Sequence, residues 1–158
     1  MKIMIDTQLW VLAKKKPSPS RFPSRSDYEK TLRVHELARE FFAREYPRSR
    51  IYMSTHQIAE IFHALAFRGL RVPVEEARML VEELVADPRV VKVPLTLEHY
   101  REAVGESART GIHVWDYLCL IPVREYVDVV YSTDPHFREL CRRYGLELVN
   151  PVGYWEEA

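Results

Sequence analysis

Four acidic residues, Asp6, Glu60, Asp116 and Asp134, stand where folding alone explains them least. Asp6 follows the apolar Ile3, Met4 and Ile5 directly, and no Lys or Arg comes after it until Lys14. Glu60 interrupts a helical face of Ile58, Ile61, Phe62 and Leu65, and an acid placed so is unfavourable without a partner. Asp116 falls at an expected helix start, where its charge suits the helix dipole. Asp134 precedes Pro135 and could cap a helix, and Asp6 alone could do the same. Each acid has an ordinary structural reading, so the candidate site rests on their joint placement.

Gathering such acids has an electrostatic consequence. Two carboxylates about 5 Å apart repel by roughly 3 kcal/mol at an effective dielectric of about 20. Several such pairs force protonation unless cations neutralise them. A site of carboxylate oxygens, with no His or Cys required, selects a hard ion, Mg²⁺ or Mn²⁺. Such an ion binds phosphate oxygens and generates a nucleophile from water near neutral pH, which makes phosphodiester hydrolysis the natural reaction.

The elements that must position these acids follow from hydrophobic patterning. Five short apolar runs rich in β-branched residues read as buried strands: Lys2 to Ile5, Arg50 to Met53, Arg89 to Val93, Asp128 to Tyr131 and Glu147 to Val149. Helical spacing fills the intervals. Ser26 and Glu29 resemble a capping box ahead of Val34, Leu37, Ala38, Phe41 and Phe42. Ser54 precedes a helix stopped by Gly69, a third helix carries Val74, Ala77, Val81, Leu84 and Val85, and Thr96 caps a fourth with Tyr100, Ala103, Val104 and Ala108 inward. A fifth is expected from about Val114 to Tyr126, kinked at Pro122, and a sixth from Pro135 to Tyr144. Alternating strands and helices imply an α/β layer fold with a mainly parallel sheet of about five strands. Ligands of such sheets sit at the carboxyl ends of the strands. Asp6 and Asp134 close strands on that edge, and the helices bearing Glu60 and Asp116 start there.

Composition bounds the rest. At 158 residues and 47% apolar content the chain suits one globular domain, residues 1–158. No apolar run reaches the roughly 20 residues of a membrane span, so a cytoplasmic protein is expected. Cys119 and Cys141 lack metal-ligand spacing and read as buried structural thiols. The net charge of zero conceals an asymmetry. From Lys14 to Arg50 eleven Lys and Arg face five Asp and Glu, so this segment carries +6 and the remainder −6. A basic segment over an acidic pocket suits a polyanionic ligand, and a solvated charged face suits the same numbers. Within the segment, Lys14 to Ser26 is rich in Pro, Ser and basic residues and reads as a surface loop suited to RNA or partner contact.

The quartet and its surroundings resemble the PIN-domain ribonuclease pattern, and more narrowly the VapC toxins of toxin–antitoxin pairs. The matching stretches are IMIDT with Asp6 and Thr7, QIAEIFHAL with Glu60, GIHVWDYLCL with Asp116, YSTDPHF with Ser132 and Asp134, and the closing LELVNP. They cover nearly the whole chain in order. The resemblance implies a PIN-like, Rossmann-like three-layer sandwich. It implies Asp6, Asp116 and Asp134 as metal-site carboxylates with Glu60 completing the catalytic quartet, and Thr7 and Ser132 orienting a carboxylate or a bound water. It further implies Mg²⁺ or Mn²⁺ as cofactor, an RNA substrate cut to a 5′ phosphate and a 3′ hydroxyl, a homodimer and a small antitoxin partner. Tyr117 stands where the family often has a small residue, His136 where many members carry a further acid, and Pro122 interrupts a helix that is usually smooth.

His56, His63, His113 and His136 lie near these motifs as further ligand or phosphate-binding candidates. Trp10, Trp115 and Tyr117 could stack on bases, or pack in a core or dimer interface. A different class of function fits the same residues: a PIN-fold RNA-binding or scaffold protein with weak catalysis. A phosphatase acting on small substrates is less well supported, because Asp6-Thr7-Gln8 lacks a DxD pair and no P-loop signature is present.

Overall fold

The computed structural model describes residues 1–157. Five strands form one sheet in the order β3-β2-β1-β4-β5, with β1 Lys2–Ile5, β2 Arg50–Ser54, β3 Val90–Val93, β4 Val129–Tyr131 and β5 Glu147–Val149. Every neighbouring pair is parallel, so the sheet is wholly rather than mainly parallel. Strand alternation sorts the apolar residues into two cores. Ile3, Ile5, Ile51, Met53, Val129 and Tyr131 face one, and Met4, Tyr52 and Val130 face the other. This double burial is why the strands read as continuous apolar runs.

Seven helices cover the two faces: α1 Thr7–Lys14, α2 Arg25–Glu45, α3 Thr55–Phe67, α4 Val74–Ala86, α5 Leu97–Thr110, α6 Val114–Leu120 and α7 His136–Tyr144. Leu9 and Trp10 of α1, Ala38 and Phe41 of α2, Ile61 and Leu65 of α3 and Leu84 of α4 pack on the first face. Ala103 of α5, Tyr117 to Leu120 of α6 and Phe137 and Leu140 of α7 pack on the second. The result is the three-layer α/β sandwich expected from the sequence. No helix among the described residues is long and apolar enough to cross a membrane.

Several local expectations are corrected. Helix α1 was not legible, because Leu9 to Ala13 is apolar throughout and has neither strand nor helix period. Asp6 caps it by accepting from the Thr7 N–H at 2.8 Å. The cap of α2 is Ser24, whose side chain accepts from the Asp27 N–H, and not Ser26. Consequently the loop runs from Lys15 to Ser24, with a 3-10 turn at Pro19–Arg21. Helix α6 stops at Leu120 and turns follow through Tyr126, so Pro122 ends the helix instead of kinking it. Tyr100, Val104 and Ala108 of α5, and Val74 and Val85 of α4, are exposed although their spacing suggested core positions.

The chain leaves β1 for β2 on one side and later returns as β4 on the other. That reversal opens a crevice beyond the carboxyl end of β1, where open parallel sheets bind ligands. Two side chains hold the end of β1 in place. The Ile5 carbonyl accepts from Trp10 Nε1 at 3.1 Å and from Gln57 Nε2 at 2.6 Å, tying α1 and α3 to the strand.

Candidate active site

Asp6 sits at the carboxyl end of β1, 6% exposed, with both carboxylate oxygens engaged. Oδ1 takes the α1 cap bond, and Oδ2 accepts from Ser132 Oγ at 2.8 Å. Ser132 Oγ accepts in turn from the Asp134 N–H at 3.0 Å, so one hydroxyl links the ends of β1 and β4. Asp134 Oδ1 accepts from the His136 N–H at 2.9 Å and thereby shapes the start of α7.

Asp6, Glu60, Asp116 and Asp134 line one cleft of about 420 Å³, together with Thr7 and Glu156. A separate cleft of about 380 Å³ between Trp10, Phe42, Tyr46 and Leu84 is largely apolar and gathers no comparable set of acids. In and beside the acidic cleft the closest donor atoms form two groups. Asp116, Asp134 and His136 offer atoms within 4.8 Å of one another, as do His56, Glu60 and Cys119. Asp6 shares the cleft but belongs to neither group. His136 Nδ1 lies 3.4 Å from Asp134 and 3.8 Å from Asp116, so this imidazole faces the same cluster.

Glu60 projects from α3 one turn beyond His56, whose Nε2 is 3.4 Å from Glu60 Oε2. Cys119 Sγ lies 3.6 Å from the same oxygen. The buried Thr7 hydroxyl faces Glu60 without completing a hydrogen bond. Of the aromatic candidates, Trp10 and Tyr117 are buried in the cores, and only Trp115 is exposed, stacked on His56. His63 packs beside Phe67, and His113 meets His136 edge to face.

Glu156 escaped the sequence reading. The C-terminal segment folds back so that the Glu156 N–H donates to the Thr133 carbonyl at 2.9 Å, and Arg138 lies 4.3 Å from the centre of the Trp155 ring. No periodicity marks this tail. Its only signal is an acid following Tyr154 and Trp155 just past the last strand.

The cleft is electrostatically loaded. Burial, and then Asp116, push the Asp6 carboxyl well above the usual carboxylate range, with Glu60 and Glu156 adding to the effect against the Ser132 hydrogen bond. Burial, then Asp134, Glu60 and Glu156, raise Asp116 to about 7. Glu156 is raised to about 7 by burial and Asp134. Glu60 runs the other way: burial raises it, but His56, Thr7 and Cys119 beside it outweigh that and hold it low. A cleft whose acids resist ionisation together is one that a divalent cation would relieve. The oxygen donors of Asp116 and Asp134 suit a hard ion, so the residues fit Mg²⁺ or Mn²⁺.

One wall of the cleft is basic. Lys15 and Arg68 line it, with Lys15 Nζ donating to the Arg68 carbonyl at 2.6 Å. Lys15, Lys16, Arg21 and Arg71 continue as an adjoining groove where the loop after α1 meets the α3–α4 connection.

The sheet order and layering are those of a PIN-like α/β fold, the fold that the resemblance implied. Among solved structures, the chain is similar to Mycobacterium tuberculosis VapC20, a sarcin–ricin loop cleaving toxin, with a TM-score of 0.66 and 16% identity over 87% of this chain and 94% of that one. VapBC-1 from nontypeable Haemophilus influenzae matches with a TM-score of 0.55 and 18% identity over 95% and 98% of the two chains. FitAB bound to the IR36 DNA fragment matches with 0.56 and 13% over 99% of each. No protein-family profile and no curated protein sequence matches the chain, so this likeness is one of fold.

Proposed function

We propose that the protein is a divalent-metal-dependent ribonuclease, the toxin of a toxin–antitoxin pair. The observation that carries this reading is the acidic cleft with a basic groove beside it, which together suit a phosphodiester backbone laid across bound metal. Asp6, Asp116 and Asp134 are the carboxylates that would hold Mg²⁺ or Mn²⁺, with His136 and Glu156 beside them. When bound, the ion supplies Lewis-acid activation of the phosphate and of the attacking water. The protein's own part is positional. Ser132 and the Thr7 N–H fix the Asp6 carboxylate, and Glu60, kept ionised by His56, is available to accept a hydrogen bond from the attacking water. Lys15, Lys16, Arg68 and Arg71 would hold the flanking phosphates. Cleavage would leave a 5′ phosphate and a 3′ hydroxyl.

The likeness to VapC20, and to structures of the VapBC and FitAB pairs, supports a toxin with a small antitoxin partner. A homodimer and a cytoplasmic location belong to the same proposal. The test incubates the protein with labelled RNAs, including one carrying the sarcin–ricin loop, in Mg²⁺ or Mn²⁺. Cleavage should stop with excess chelator and in Asp6→Asn and Asp116→Asn. Undiminished cleavage by these variants, or none by the wild type across varied RNAs, removes the enzyme reading and leaves an RNA-binding or scaffold protein.

A further inference from the structure

His56 and Glu60 lie one turn apart on the same face of α3, and Cys119 of α6 meets them across the helix interface. Their donor atoms differ in kind from the rest of the cleft: an imidazole nitrogen, a carboxylate oxygen and a thiol sulfur. A tetrahedral ion with bonds of about 2.0–2.3 Å separates neighbouring donor atoms by roughly 3.3–3.7 Å. Two edges of that tetrahedron already exist, Sγ to Oε2 at 3.6 Å and Nε2 to Oε2 at 3.4 Å. The third, between His56 and Cys119, is within 4.8 Å.

A second observation points the same way. His56 Nε2 is buried, and its contact with Glu60 Oε2 at 3.4 Å falls short of a well-formed hydrogen bond, although such an atom normally has a partner. Its ring is held against Trp115, with centroids 5.5 Å apart and planes 11° from parallel, so the nitrogen is fixed facing Glu60 and the thiol. We propose that His56, Glu60 and Cys119 form a binding site for a borderline-soft divalent transition ion of the Zn²⁺ class, distinct from the hard-ion carboxylate site. Mixed nitrogen, sulfur and oxygen donors select Zn²⁺ or Co²⁺ over Mg²⁺, which does not take a thiolate readily. On binding, the Cys119 thiol releases its proton to solvent as the metal–sulfur bond forms, and thiolate plus the Glu60 carboxylate balance the ion's two charges. Entry is through the cleft, which Glu60 lines. The site does not require the nuclease reading. Where that reading holds, an occupied site takes Glu60 away from the reaction.

Co²⁺ titrated into the whole protein is the probe, because thiolate coordination gives a near-ultraviolet charge-transfer absorption that oxygen-only sites lack. The wild type should show this band at about one equivalent, should lose it to added Zn²⁺ and should keep it in excess Mg²⁺. Cys119→Ser should abolish it, and His56→Ala should weaken Co²⁺ binding at least ~10-fold. Cys141→Ser and Asp134→Asn should retain it. Absence of the band in the wild type, or its persistence in Cys119→Ser, overturns the proposal. Should Cys119→Ser not fold by circular dichroism, His56→Ala decides: unchanged Co²⁺ affinity in that variant overturns the site equally.

Discussion

Ser132 Oγ donates to Asp6 Oδ2 at 2.8 Å across 126 residues of sequence, and the same oxygen accepts from the Asp134 N–H at 3.0 Å. One hydroxyl therefore sets the spacing between the acid that ends β1 and the acid that follows β4. A Ser132→Ala variant should keep the fold yet lower metal affinity and cleavage by about 10- to 100-fold, as loss of a residue orienting a metal ligand does. Metal titration and RNA cleavage measured on the same preparation check this. Ser132→Thr, which keeps the hydroxyl, should restore part of the loss.

Neutralising Asp116 should separate stability from function. Its carboxyl is mostly buried among like charges and raised to about 7. Asp116→Asn should abolish cleavage while stabilising the metal-free protein by on the order of 1–2 kcal/mol, roughly 2–8 °C in melting temperature. Melting in chelator near pH 8 is the measurement, and a destabilised variant would contradict the electrostatic account.

The pH dependence has a defined sign. Asp116 and Glu156 have folded values of about 7 against about 4 for unfolded carboxylates, so the folded state binds more protons between those limits. Their contribution is fully present below about pH 4 and is lost as pH rises through about 7. Metal-free protein should therefore lose stability across that window by at most a few kcal/mol, and Mg²⁺ should restore it above pH 7. Thermal melts from pH 5 to 8, with and without Mg²⁺, read both effects, since bound ligand stabilises by mass action.

Glu156 should contribute to the site although it lies in the C-terminal tail. Glu156→Gln should weaken Mg²⁺ or Mn²⁺ binding several-fold and leave the fold unchanged. Arg138→Ala, which removes the cation from the Trp155 ring, should weaken binding in the same direction by loosening the tail. Calorimetric titration of the ion distinguishes these from variants with no effect.

The basic groove predicts a salt signature. Lys16→Ala with Arg71→Ala should weaken RNA binding with little dependence on sequence. The slope of log affinity against log salt should fall by about 0.7 for each phosphate of a single strand that the variant no longer neutralises. Fluorescence anisotropy across a salt series, in an Asp6→Asn background expected to prevent cleavage, gives the number.

The strands and most helices were legible because burial on both sides of a parallel sheet leaves unbroken apolar runs, and Gly, Pro, Ser and Thr mark the boundaries. Helix α1 was not, since its apolar residues carry no period and its cap, Asp6, is also a site residue. Exposed Tyr100 and Val104 misled for a related reason: helical spacing identifies a face but not whether another layer covers it.

Sequence alone determined which acids share an edge of the sheet, because strand direction and connection order leave each of Asp6, Glu60, Asp116 and Asp134 at the carboxyl ends. Only the tertiary structure decided how they divide, with His136 beside Asp116 and Asp134 and with His56 and Cys119 around Glu60. It alone brought Glu156 to the cleft. Topology fixes an edge to within several ångströms, whereas ligand sets depend on helix rotation, side-chain packing and the path of an aperiodic tail, none of which local pattern encodes.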